Sequence, residues 1–256
     1  MTERIIGIMG AMTEEISGVV DLLSEREEMT AGMRTYYSGR LNGIKTVVVF
    51  SRWGKVAAAT TVSNLILEFK ITELIFTGVA GALNPDLRIG DIVIAKRLVQ
   101  HDMDARPIMK QFEIPLLGIT FFECQREQVT IASNAATELL GNKHLHTVFD
   151  QKELEEFGIE NPKRVIGDVG SGDKFFSSSQ DKHDLLAKLP TILCVEMEGA
   201  AVAQVCYEYG LPVTVIRTIS DVADEKSPID FVSFIKKISS TYSVEIIKNI
   251  FRQYAL

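Results

Sequence analysis

The chain has 256 residues, enough to bury a full core, and it carries 27 Lys and Arg against 34 Asp and Glu, a formal net charge of −7. With no basic block, that balance argues against nucleic acid or an acidic membrane surface as partner and favours a small-molecule ligand. No apolar run approaches the ~18 residues of a membrane span, the run Ile5–Met9 is too short for a signal peptide, and three cysteines without Cys-x-x-Cys spacing read as reduced thiols, so a cytoplasmic protein is expected.

In chain order, Arg4–Met9 reads as a buried strand. It turns through Gly10-Ala-Met-Thr into a helix reaching about Leu23, with Ile16, Val19, Val20 and Leu23 on its apolar face. Gly7-x-x-Gly10 lacks the G-x-G-x-x-G order, so a dinucleotide site is not expected. Glu14 and Glu15 open the helix; the helix dipole accounts comfortably for one of them, less obviously for both. Thr35–Leu41 and Ile44–Phe50, joined by Asn42-Gly43, predict a hairpin. A helix from Ala57 to Phe69 follows Trp53-Gly54. Gly54 permits close backbone approach, and Trp53 sits at a strand's carboxyl end, where open α/β sheets bind ligands.

Leu74–Leu83 and Ile89–Ala95, the latter continuing through Val99, predict two more strands; Gly78 and Gly81 let the first pass close to something flat or bulky. His101, Asp102 and Asp104 cluster beyond the second. Without a third ligand at fixed spacing they read as a hydrogen-bonded pair or a subunit contact rather than a metal site. Arg106–Phe122 and Gly141–Asn161 read as excursions from the sheet on either side of a helix from Gln125 to Leu140, with His144 and His146 in a solvated turn. Arg164–Val169 predicts a strand. The loop after it, Gly170–Ser178, has two glycines and paired aromatics, Phe175 and Phe176, that suit a planar base.

Cys194–Cys206 sets Glu196 and Glu198 among residues that are otherwise apolar or small, at the junction of a strand (Ile192–Val195) and a helix ending near Gly210. Burying an unpaired carboxylate costs several kcal/mol, so two of them must be paired or used on a ligand. Leu211–Ile219 predicts a central strand that delivers Ser220 and Asp221 to its carboxyl end. Asp224–Asp230 reads as a turn, and Phe231 as the start of a terminal helix with Phe234, Ile238, Tyr242 and Ile246 inward. Strands and helices alternate, three acids (Glu15, Glu198, Asp221) stand at junctions, and no Ser-His or Cys-His pair is evident. The pattern points to carboxylate chemistry on a ligand held by backbone groups.

Seven segments then carry a resemblance: Gly7-Ile-Met-Gly-Ala-Met-Thr-Glu-Glu15, Thr77-Gly-Val-Ala-Gly81, Ile89-Gly-Asp-Ile-Val93, Gln100-His-Asp-Met-Asp104, Ser171-Gly-Asp-Lys-Phe175, Val195-Glu-Met-Glu-Gly-Ala-Ala201 and Arg217-Thr-Ile-Ser-Asp-Val-Ala-Asp224. In this order they resemble the 5′-methylthioadenosine/S-adenosylhomocysteine nucleosidases of the purine/uridine phosphorylase superfamily. The resemblance implies one α/β domain over residues 1–256, with a twisted mixed sheet flanked by helices, no cofactor and no metal. It also implies a homodimer in which residues 101–108 lie near the neighbouring active site.

The same resemblance implies roles. Asp221, with Ser220 beside it, would protonate adenine at N7; Glu15 would activate water; Glu198 would hold the ribose hydroxyls. Met197 would lie against the sugar, Glu196 would support the cleft, and Ala80 and Gly81 would line the ribose side. Phe175 and Phe176 would stack on adenine, while Met12, Trp53 and Phe231 would surround the ribose and its 5′ substituent. Trp53 and the segment from Ala105-Arg-Pro-Ile108 onward depart from the usual family pattern, in the part that reads the 5′ group. A phosphorylase would use arginines such as Arg52, Arg88 or Arg217 on phosphate, which Glu15 would repel. A catalytically silent binder would lose at least one acid, and all three are present.

Overall fold

Residues 3–254 are described by a computed structural model. In chain order its elements are β1 (Ile5–Gly10), α1 (Thr13–Val20), β2 (Ser24–Ala31), β3 (Arg34–Leu41), β4 (Ile44–Phe50), α2 (Lys55–Leu67), β5 (Glu73–Ala82), β6 (Ile92–Gln100) and β7 (Phe121–Glu123). There follow α3 (Arg126–Leu140), α4 (Asn142–Val148), α5 (Gln151–Glu156), β8 (Arg164–Ser171), α6 (Ser179–Lys188), β9 (Ile192–Glu196), α7 (Gly199–Tyr209) and β10 (Val213–Asp221). The chain then runs through α8 (Ser227–Phe234), a π-helical segment (Ile235–Ser239) and α9 (Ser240–Tyr254).

All the strands belong to one 10-stranded mixed sheet. Its pairings close a ring, β5–β10–β6–β8–β9 and back to β5, from which β1, β4, β3 and β2 extend as an open wing. β5 and β10 are buried along almost their whole length, as expected of strands paired on both edges and covered on both faces. The described residues thus form the single α/β domain with a mixed sheet and flanking helices that the sequence implies. α1, α3 and α9 pack together on one side, and α2 packs on α7. The wing's hairpin turns at Asn42 (φ 48°) and Gly43 (φ 79°), the left-handed pair a two-residue hairpin loop requires.

Several elements differ from the sequence reading or lie outside it. The first helix ends at Val20, leaving Leu23 partly buried outside it. β2, to which the sequence reading assigns nothing, is exposed on both faces and so shows no period-two alternation. The Gly141–Asn161 excursion holds α4 and α5, and His144 lies on α4, its ring 3.2 Å from Glu245, instead of in a solvated turn. The last helical stretch opens at Ser227, not Phe231, because Pro228 stands in its first turn, where a missing N–H costs nothing.

Candidate active site

β5 positions the site. One edge pairs with β10 from Leu74 to Gly81; the other pairs with β1 only as far as Phe76 and with β9 only from Gly81. Between those points the second edge has no strand partner, and the carboxylate of Glu15, from the first turn of α1, fills the gap. Its Oε1 accepts the Val79 N–H at 3.1 Å, and its Oε2 accepts the N–H groups of Ala11 at 2.6 Å and Met12 at 3.0 Å. The fit requires glycine in the strand, since a Cβ on Gly78 would stand 2.7 Å from Oε1. Burial pushes the Glu15 pKa up to about 7, against the opposing pull of Arg217 and the three amides. Glu14, one residue earlier, is exposed.

Glu196 and Glu198 part company at the end of β9. Glu196, the last strand residue, pairs with the buried guanidinium of Arg217 at 2.8 Å. It also accepts from the Ser171 hydroxyl and from the N–H groups of Glu198 (3.1 Å) and Gly199 (2.8 Å), capping α7. Arg217 is in turn spent on the Phe76 and Ile216 carbonyls and the Phe76 ring. Glu198 has left the strand conformation (φ −136°, ψ −40°), and its Oε1 accepts the Gly54 N–H at 2.8 Å. Burial, reinforced by the neighbouring Glu196 charge, pushes its pKa up to about 8.

Asp221 ends β10. Its Oδ2 accepts from the Ser220 hydroxyl and its Oδ1 from the Ala223 N–H, both at 2.9 Å, and burial raises its pKa. The aromatic wall is built edge to face: Phe231 sits 5.5 Å from Phe175 and 5.9 Å from Trp53, ring centre to ring centre. His101, beyond β6, packs edge-on against Phe176, and Asp102 binds the Lys55 ammonium and the Asp173 N–H.

These groups come together at one cleft that opens to solvent. Every site residue expected from the sequence lines it: Glu15 and Asp221, Glu196, Met197 and Glu198, Ala80 and Gly81, Phe175 and Phe176, Ser220, Met12, Trp53 and Phe231. Ala11, Val79, Lys174 and Val195 line it too and were not anticipated. Ala11 and Val79 contribute backbone N–H groups, which carry no side-chain signal; only the flanking glycines hint at them. Neither Arg52, Arg88 nor Arg217 is among the lining residues. Among the described residues no group of three or more His, Cys, Asp or Glu is placed to hold a metal. The thiols are buried; burial pushes Cys124 up to about 12 and raises Cys194 and Cys206 further, which fits packing rather than reactivity.

The family model of the phosphorylase superfamily matches residues 5–252. The chain belongs to that superfamily. Within the phosphorylase superfamily it is 35% identical over 240 residues to an aminodeoxyfutalosine nucleosidase of Helicobacter pylori strain J99, covering 92% of this chain and 94% of that one. It is 34% identical to a 5′-methylthioadenosine/S-adenosylhomocysteine nucleosidase of Staphylococcus haemolyticus, covering 93% and 95%. In structure it resembles the Neisseria meningitidis 5′-methylthioadenosine/S-adenosylhomocysteine nucleosidase in complex with methylthio-immucillin-A, with a TM-score of 0.85 and 28% identity over 98% of this chain and 99% of that one. In this superfamily member the cleft lies at the carboxyl ends of β5, β9 and β10, where the sheet splits.

Proposed function

We propose that this protein hydrolyses the N-glycosidic bond of 5′-methylthioadenosine and S-adenosylhomocysteine, releasing adenine and the 5-thio-substituted ribose. The observation that carries the reading is the convergence of three buried carboxylates, Glu15, Glu198 and Asp221, on one cleft with an aromatic wall whose lining includes no arginine. Adenine is a poor leaving group as an anion. Asp221, whose pKa burial raises, is the acid that gives a proton to N7 as the C1′–N9 electron pair leaves with the base. Glu15, with a pKa near the working pH, accepts the proton of the water that bonds to C1′. An acid and a base so placed are each worth roughly 10²- to 10⁴-fold, the logic shared with glycosidases that divide the two tasks between carboxyls. Glu198 accepts hydrogen bonds from the ribose hydroxyls and favours the oxocarbenium-like sugar, against Met197, Ala80 and Gly81. Phe175 and Phe176 hold the base, and Met12, Trp53 and Phe231 enclose the 5′ end.

Phosphorolysis is disfavoured because a phosphate nucleophile needs cations. Arg217 is committed to Glu196, Arg52 reaches out to the Met33 carbonyl, and Lys174, the cation in the lining, pairs with Asp181 at 2.6 Å. A second substrate, aminodeoxyfutalosine, is favoured by the relative of that activity at 35% identity. We further propose a homodimer in which residues 101–108 approach the neighbouring cleft; strong exposure of Ile108 and Leu116, at 86% and 93%, supports an apolar contact there. A cytoplasmic location and a place in methionine salvage complete the reading. The test is adenine release from 5′-methylthioadenosine with and without phosphate, followed by a panel of 5′-substituted adenosines that includes aminodeoxyfutalosine. Phosphate-independent release is expected; strict phosphate dependence would replace hydrolase with phosphorylase.

A further inference from the structure

We propose that Lys182 is a positioning residue for Asp221, tying together the two strand ends between which the acid is wedged; the proposal rests on the nucleosidase reading above. Lys182 lies in the first half of α6, and its ammonium donates to the carbonyl oxygens of Ala82 and Val222, each at 2.9 Å. Those carbonyls belong to the residues directly after Gly81 and Asp221, the last registered pair of β5 and β10. The ladder is already irregular there, shifting between Ile219 and Asp221, and Ala82 pairs onward with Cys194 of β9. Past the pair, therefore, strand hydrogen bonding no longer sets the separation of the two segments, and Lys182 bridges them.

The separation matters because Asp221 occupies it. A Cβ on Gly81 would stand 2.8 Å from Asp221 Oδ1, and the Ala223 N–H binds that same oxygen at 2.9 Å. The carboxyl is thus held between the backbone of Gly81 on one side and that of 222–223 on the other, and Lys182 anchors both sides by one residue each. A solvated surface lysine spends its ammonium on water or on a mobile carboxylate. Lys182 instead spends it on two carbonyls and keeps its stem against the fold. Burial lowers its pKa, while Asp224 and Asp221 pull it back up.

Lys182→Met and Lys182→Arg, assayed on two substrates, test the idea. 5′-Methylthioadenosine needs protonation of its base; a 4-nitrophenyl 5-methylthio-riboside has a leaving group that needs none. Displacement of the acid by about an ångström should lower kcat of Lys182→Met on methylthioadenosine ~10- to 100-fold with KM within about threefold, yet change the nitrophenyl substrate less than about threefold. Lys182→Arg, which can still bridge two carbonyls, should recover methylthioadenosine turnover to within about fivefold of wild type. Equal losses on both substrates would mean a general structural role and overturn the proposal, as would no loss on either. If Lys182→Met fails to fold, the same substrate ratio is read in Lys182→Gln. A wild-type protein that releases no adenine from any nucleoside overturns the nucleosidase reading; a wild type that does so beside an unaffected Lys182→Met overturns this proposal alone.

Discussion

Burial pushes the pKa of Glu15, Glu198 and Asp221 in one direction, but the partners around each divide the work. Glu15 accepts only backbone amides, which hold it still without supplying a proton, so it suits a base that must be ionised. In the free enzyme, log kcat/KM should climb with pH until about pH 7, where Glu15 loses its proton. A flat profile between about pH 5 and 8 would remove Glu15 as the base. Asp221→Asn keeps the shape and the Ser220 contact but cannot donate an acidic proton. Its kcat should drop by at least ~10² while adenine analogues still bind in calorimetry; near-normal turnover would take Asp221 out of the mechanism. At this scale the sequence was informative because an acid in an apolar run is anomalous by itself. Only the family resemblance separated Glu196, as support, from Glu198, as the ribose contact; composition and spacing did not, since what separates them in the fold is Arg217, a partner 21 residues away. The end of β9 between them adds to this, breaking the strand alternation that would otherwise put both side chains on one face.

At the scale of elements, β5 does most of the positioning. Its gap between Phe76 and Gly81 exposes one amide to Glu15, and its glycines let two carboxylates approach the backbone. Gly78→Ala should therefore push Glu15 off its three donors. We expect at least ~10-fold loss of kcat and a stability loss of ~1–3 kcal/mol, measured by turnover and by denaturant unfolding. Full activity would show that the carboxylate can move without consequence. β5 and β10 were legible as apolar runs, rich in β-branched residues in β10 and broken by Gly78 and Gly81 in β5. β2 was not, because an edge strand with both faces in water carries charge where a pattern would otherwise be, the same charge that discourages pairing with another chain. α4 and α5 escaped for a related reason. They are 7 and 6 residues long, too short to show a helical period, and the second is marked mainly by its cap, Asp150 accepting the Lys152 N–H with Glu153 reaching back.

At the scale of the whole molecule, the ring of five strands gathers residues from widely separated parts of the chain, and that closure had no local signature: it depends on β10, late in the chain, inserting between β5 and β6. The gathering puts Glu15, Glu196 and Glu198 around the buried guanidinium of Arg217, so carboxylate charge exceeds its neutralisation. The fold must then work against its own site as pH rises. Glu198 has a folded pKa near 8, above its ordinary value of 4.5, so the folded state holds a proton that the unfolded chain releases. Its contribution to stability is intact below about pH 4.5 and is lost progressively as pH climbs to about 8. Glu198→Gln keeps an oxygen for the Gly54 N–H and removes that ionisation, along with its repulsion of Glu196. The variant should gain on wild type as pH rises, by an amount on the order of a few kcal/mol, since each pKa unit corresponds to about 1.4 kcal/mol. In thermal melts its Tm advantage should be at least ~3 °C larger at pH 9 than at pH 5, accompanied by a loss of nucleoside turnover. Taking the difference between variant and wild type cancels the other titrating groups, among them His101, whose burial lowers its pKa and opposes the trend in acid. An advantage equal at both pH values would mean that Glu198 is ionised at little cost, and that the cleft stores none of this strain.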